Sequence, residues 1–278
     1  MKFADLRVMV IGGHPDDADQ FAGCTAIKWA DRGARVRFVS VCNGEKGWHL
    51  VPNDGIAARR RGETAAAATA YGIERYDVWD VPDCEIEPTL ELRKRMTRMV
   101  REFAPHVILT HRTCDYHADH RACSQLVQDM TYMLGLPNWC PDVPVPDVRP
   151  AVFFMTDDFD FPCVLRPDAV VAADDVMDRY LDALANHVSQ FFEFLPVDMG
   201  LAPSEVPSRE DRAAVRAYLA KWFASMKRTD AGRFKDRLVE WYGAFVPEAV
   251  EVFEMSRYGR QLSEGELREL FMMKGEVL

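Results

Sequence analysis

Short apolar runs and amphipathic stretches alternate along the first half of the chain. Leu6 to Gly12 carries Val and Ile and stops at Gly12-Gly13, the pattern of a parallel strand buried on both faces. From Asp19 to Arg32 the apolar positions fall at helical spacing (Phe21, Ala22, Ile27, Ala30), and Gly33 closes the run. Val36 to Cys42 is β-branched and apolar, a second strand. Ala57 to Tyr71 is Ala-rich and meets Gly72, as a helix with a C-terminal glycine does. Tyr76 to Trp79 reads as a short strand. Thr89 to Phe103 sets Leu92, Met96, Met99 and Val100 on one helical face, with Pro105 just beyond. His106 to Thr110 is a strand and Ala118 to Met133 a helix.

This alternation predicts an α/β fold, Rossmann-like and doubly wound, with a mostly parallel sheet and helices on both faces. The later pattern is less regular. Leu136 to Pro150 holds five prolines and is read as a loop, a candidate wall or lid of a site. A linker is the alternative, but the strand-like Ala151 to Met155 that follows is suited to rejoining the sheet. Asp174 to Gln190 and Arg209 to Lys227 read as helices, and Glu248 to Leu278 as a strand with a charged helix. One domain over 1–278 is expected, with about 136–278 adding helices and loops around the site.

Composition narrows the partners. The 278 residues, 48% hydrophobic, can bury one large core without disulfides. Seven cysteines, an odd number with no C-x-x-C pair, fit reduced thiols better than a disulfide framework or a thiolate zinc knuckle. The net charge of −10 argues against a nucleic-acid surface, with Arg59-Arg60-Arg61 a local exception. No apolar run approaches the roughly 20 residues that cross a bilayer, and Val8 to Ile11 is too short for a secretory leader. The expected setting is cytoplasmic and the expected partner a small molecule. Glu248 to Leu278 is a candidate for docking a second copy or for packing on its own domain.

Two polar clusters follow two of the predicted strands. His14-Pro15-Asp16-Asp17 comes after the first, and His117-Ala118-Asp119-His120 a few residues after His106 to Thr110. Open parallel sheets bind ligands beyond the carboxyl ends of their strands, near the point where strand order reverses. Two imidazoles and a carboxylate suit a catalytic zinc ion. A helix starting just after Pro15 would let His14 and Asp17 face one point, with His120 closing the set. The same donors also suit Fe(II) or another divalent ion. Asp16 is then free to act as general base on water, and His117 to polarise an amide oxygen or protonate a leaving nitrogen. Asp119 could hold an imidazole in one tautomer. The plain alternatives are a Pro-Asp turn at 14–17 and a helix cap at Asp119.

Gly13-His14-Pro15-Asp16-Asp17, then Gly23 and a helix, resembles the first motif of the LmbE-like (PIG-L) zinc deacetylases. His117-Ala118-Asp119-His120, with Tyr116 before it, is similar to their H-x-D-H motif, and His187-Val188-Ser189-Gln190 to a later His-x-Ser-Gln segment. The likeness runs over about residues 6 to 130 and weakens beyond. It implies the LmbE-like fold, removal of an acetyl or other acyl group from an N-acylated amino sugar or glycoconjugate, and Zn2+ on His14, Asp17 and His120. It implies Asp16 as base, His117 as acid or oxyanion partner, Arg60 against substrate and Asp83 against sugar hydroxyls. Arg60 also fits a solvated helix start, and Asp83 a turn. On a sugar substrate, Tyr116, Trp48 and His49 are candidate pocket walls, the last two from the loop Asn43 to His49. The motif departs from the family at Ala18, where a Glu usually stands; Asp19 is one position on. Two rival readings remain open at this level. One is an Fe(II) oxygenase, which has no use for Asp16. The other is a non-catalytic metal- or sugar-binding protein.

Overall fold

The computed structural model describes residues 2–53 and 55–272. Its first half follows the predicted order: β1 (Arg7–Gly12), α1 (Asp17–Asp31), β2 (Arg35–Cys42), α2 (Ile56–Tyr71), β3 (Arg75–Val81), α3 (Leu90–Phe103), β4 (Val107–Thr110) and α4 (Ala118–Met133). β5 (Ala151–Met155) follows the proline-rich loop. Then come β6 (Ala169–Ala172), α5 (Met177–Leu184), a π-helical segment Ser189–Phe194, and α6 (Leu195–Asp198). The chain ends in α7 (Arg212–Ala220), α8 (Phe223–Arg233), α9 (Lys235–Tyr242), β7 (Val250–Gly259) and α10 (Glu264–Phe271).

All seven strands form one sheet in the order β3-β2-β1-β4-β5-β7-β6. β1 to β5 are parallel, while β7 runs antiparallel between β5 and β6. The fold is therefore the expected Rossmann-like α/β sheet, with an antiparallel edge that the pattern did not predict. Strand order reverses between β1 and β4, so the two polar clusters leave neighbouring strands on either side of the switch. β1 is covered on both faces. Val8 and Val10 enter the core built with α1, α2 and α5, and Met9 and Ile11 the one built with α3 and α4.

Three expectations change. The helix read over Asp174 to Gln190 is broken after Leu184, because the Asn186 amide donates to the carbonyls of Asp182 (3.2 Å) and Ala183 (2.9 Å) and so ends α5. The helix read from Arg209 starts at Arg212, where Asp211 Oδ1 caps the Ala214 N–H at 3.0 Å, and it is interrupted between Ala220 and Phe223. The proline-rich loop is neither wall nor lid. The Arg101 guanidinium pins it to α3 through the carbonyls of Leu136, Cys140 and Val143, and none of its residues lines the cavity described below. The end of the charged helix read to Leu278 lies beyond residue 272, outside the described residues.

Candidate metal centre

β1 runs into two glycines, positions where a side chain would crowd its neighbours. A Cβ on Gly12 would stand 2.6 Å from Asp17 Cβ, and one on Gly13 would stand 3.1 Å from His120 Cδ2. The strand end thus packs directly against the start of α1 and the first turn of α4. His14 follows in the turn, Asp17 opens α1, and His120 lies in the first turn of α4.

Three donor atoms converge. His14 Nδ1 is 3.0 Å from His120 Nε2 and 3.4 Å from Asp17 Oδ2, and His120 Nε2 is 3.3 Å from the same oxygen. A tetrahedral ion with bonds of about 2.0–2.1 Å separates its ligand atoms by about 3.3–3.4 Å. The triangle therefore fits one face of such a coordination shell. His117 belongs to a second three-donor group with His14 and His120, and His111 to a third with Asp17 and His120.

The remaining ring nitrogens are anchored. His14 Nε2 faces Asp83 Oδ1 at 3.3 Å and Asp119 Oδ2 at 3.4 Å. Asp119 is itself held by the backbone N–H groups of Cys84 (2.7 Å) and Ile86 (3.2 Å). Asp83 Oδ2 accepts from the N–H groups of Lys46 and Gly47, each at 3.2 Å. His120 Nδ1 meets Asp115 Oδ1 at 3.0 Å. Carboxylates behind ligating imidazoles fix tautomer and ring direction. Asp119 and Asp83 thus both back His14, and Asp83 also lines the cavity.

Charge is concentrated here. Burial works against a charged His120, but Asp17 and then Asp115 raise it to about 9. His14 is raised as well, burial being outweighed by Asp17, Asp119 and Asp83 together. Asp17 is pulled well below the usual carboxylate range, because the imidazoles of His120, His111 and His14 outweigh its burial. Asp16 moves the other way, up to about 6, through burial and then the charge of Asp17. Its Oδ2 accepts from the Gln20 amide at 2.8 Å. His117 is lowered by burial and by its two neighbouring imidazoles. Its Nδ1 accepts the Asp119 N–H at 3.1 Å, so a neutral ring carries its proton on Nε2.

The donors open into a cavity of about 370 Å³, lined by Asp16, Gln20, Arg60, Tyr116, His117, Gln190, Phe194 and Leu195 among others. Arg60 is buried and donates to the Gly47 carbonyl at 2.7 Å and to the Gln190 side chain. Tyr116 is largely exposed at the rim. Trp48 and His49 are not among the lining residues. Trp48 packs under the Arg59 guanidinium, and His49 stacks on Phe194 with ring centroids 4.7 Å apart. His187 is buried against Asp19 at 2.8 Å, and Ser189 Oγ donates to Glu63 at 2.6 Å, which ties the π segment to α1 and α2. A smaller cavity, about 150 Å³, lies between Phe3, His106 and Arg260 at the opposite edge of the sheet, and none of the three-donor groups among the described residues reaches it.

Sequence reasoning passed over His111, Asp115, Gln20, Phe194 and Leu195. Position would have flagged the first two, since His111 directly follows β4 and Asp115 precedes His120 by five residues. Nothing in the local pattern marks Phe194 and Leu195.

Residues 9–131 match the model of the family PIG-L, GlcNAc-PI de-N-acetylase. The diacetylchitobiose deacetylase of Thermococcus kodakarensis is 29% identical over 202 residues, covering 69% of this chain and 73% of that protein. Among solved structures, the N,N'-diacetylchitobiose deacetylase of Pyrococcus horikoshii aligns over 92% of this chain and 85% of its own, with TM-score 0.69 and 22% identity. GalB, the 4-carboxy-2-hydroxymuconate hydratase of Pseudomonas putida, aligns over 93% of this chain and 100% of its own, also with TM-score 0.69, at 18% identity. At such identities the two structures speak for the fold alone. Among the described residues no helix is long and apolar enough to cross a membrane. What the comparisons give is thus a match of residues 9–131 to the PIG-L family model, the LmbE-like family that the two motifs resemble.

Proposed function

We propose that this chain is a divalent-metal-dependent amide hydrolase that removes the acetyl group from an N-acetylated amino sugar. The observation that carries the reading is the donor triangle of His14, Asp17 and His120 with the buried carboxyl of Asp16 beside it. Fold likeness does not choose the reaction, since a deacetylase and a hydratase resemble the chain equally well. The choice rests on the family match and on the deacetylase relative that covers most of the chain.

His14 Nδ1, Asp17 Oδ2 and His120 Nε2 would hold the ion, zinc being the choice that best suits two imidazoles and one carboxylate. When bound, it supplies Lewis acidity to water and to a carbonyl oxygen. Asp16, whose buried carboxyl lines the cavity beside the donor triangle, takes a proton from the attacking water. Gln20 holds the carboxyl in place. The Nε2–H of His117 serves as hydrogen-bond donor to the amide oxygen, and the proton taken by Asp16 passes to the departing nitrogen. Arg60, Tyr116, Phe194 and Leu195 wall the space for the sugar. Products are acetate and a free amine.

The test is a set of N-acetylated amino sugars assayed for free amine, with and without a chelator, on wild type and Asp16→Asn. The expected result is a chelator-sensitive release that Asp16→Asn lowers by about 10²–10⁴-fold, the usual worth of general acid–base catalysis, with bound zinc unchanged. Full activity in Asp16→Asn refutes the base. Loss of zinc in that variant makes Asp16 a structural residue. Oxygen uptake without amine release would favour the oxygenase, and zinc binding with no turnover the binding protein.

A further inference from the structure

His111 belongs to neither polar motif, yet it touches two of the three donors. Its ring is only 3% exposed and lies flat on His120, centroids 3.9 Å apart and 2° from parallel. Its Nε2 is 3.0 Å from Asp17 Oδ2 and 3.2 Å from the Gly13 N–H. One nitrogen cannot both accept from Gly13 and donate to Asp17. A lone pair aimed at a carboxylate oxygen at that distance would be repelled, whereas an N–H donated to it forms a charge-assisted bond. On the Nδ1 side Asp115 Oδ2 lies 4.0 Å away, beyond hydrogen-bond reach, so that carboxylate does not compete for the proton.

We infer that His111 is a positioning residue for the metal centre: its Nε2–H orients Asp17, and its flat face sets the plane of the His120 ring. The inference rests on the metal-binding part of the proposed function. Asp17 is the one anionic donor of the triangle, and its Oδ2 also accepts the His14 N–H at 2.7 Å. Two donors from different strand ends, His14 after β1 and His111 after β4, therefore hold one oxygen between them. The stack blocks rotation of His120, whose other nitrogen is tied to Asp115. Preorganised ligands bind an ion without first being ordered, and outer-shell partners of this kind are worth about 10–100-fold in metal affinity. A core filler would have no such effect, because a phenyl ring fills the same space and keeps the stack.

The test uses the full chain as wild type, His111→Phe and His111→Gln. Zn2+ affinity is read by competition with a chromophoric chelator, and ligand geometry from the visible spectrum of the Co2+-loaded protein. Expected is a loss of about 10–100-fold in Zn2+ affinity and a shifted Co2+ spectrum for His111→Phe. His111→Gln, whose amide N–H can replace the imidazole donor but not the stack, recovers both in part. His111→Asn, too short to reach Asp17, should behave like the Phe variant and serves in its place if the phenyl ring does not fold. Wild-type affinity in His111→Phe overturns the inference. Equal loss in the Gln and Phe variants overturns the donor role. Failure of the wild type itself to bind Zn2+ removes the metal centre, and so defeats the proposed function first.

Discussion

Around Lys227 and Glu251 the protein buries an ion pair that is complete, and around Asp17 it buries charges that are not. Lys227 on α8 donates to Glu251 Oε1 at 2.6 Å and to the Gln20 carbonyl at 3.1 Å. Glu251 on β7 accepts from the N–H groups of Cys24 (3.0 Å) and Thr25 (2.7 Å) and from Thr25 Oγ1 (2.6 Å). One cation meets one anion and the spare lone pairs are filled. At the start of the same helix α1, five carboxylates (Asp16, Asp17, Asp83, Asp115, Asp119) crowd four imidazoles, and the inner nitrogens face a cavity. The closed cluster holds the later half of the chain to α1. The open one lacks positive charge, which is the requirement a divalent ion meets.

Substitutions should separate the two. His120→Ala is expected to have the largest effect on chemistry: removing a donor outright should weaken metal binding by more than about 100-fold, the upper end of outer-shell losses, and hydrolysis should fall with it. Thermal melting of the metal-free protein should still show one cooperative transition. Unfolding of the metal-free variant would mean that this cluster is structural too, and the contrast would fail.

Lys227→Met should do the reverse. Breaking a buried pair from one side leaves Glu251 uncompensated and costs about 3–5 kcal/mol, read by urea unfolding. Zn2+ affinity of the folded fraction should stay within a few-fold of wild type. A selective loss of metal affinity would show that the two clusters are coupled through α1.

Asp230, one turn after Lys227 on α8, sharpens the comparison with a smaller effect. It is buried, and burial raises its carboxyl to about 6. A folded acidity weaker than the unfolded one favours the fold only while the group is protonated. That contribution is complete below about pH 4 and is lost as pH rises towards 6. Asp230→Asn should therefore be more stable than wild type above pH 6, by up to about 3 kcal/mol, with the gap closing near pH 4. A pH-independent difference would mean that the carboxyl is solvated.

How much of this was legible follows from the range of the interactions. β1 to α4 could be read because each strand is apolar throughout and each helix carries its own stop signal, as at Gly33 and Gly72. The donor triangle was legible because parallel strands place their carboxyl ends at one edge, whichever residues stand there. β6 escaped because four residues carry almost no periodicity, and β7 joins the sheet only through pairing with β5 and β6. His111 escaped because no motif surrounds it, although its place directly after β4 could have marked it. Trp48 and His49 were drawn towards the cavity by residue type, whereas the structure spends them on Arg59 and Phe194.

The π-helical segment has a consequence of its own. Every atom proposed to grip the ion or move a proton lies within the first 120 residues, while Gln190, Phe194 and Leu195 come from a stretch outside the family match. That stretch is fastened at His187 and Ser189, so its tip can change length or bulk while the fasteners stay. Under the proposed function, bulk at Phe194 or Leu195 can therefore alter which substrate fits while the donor atoms stay untouched.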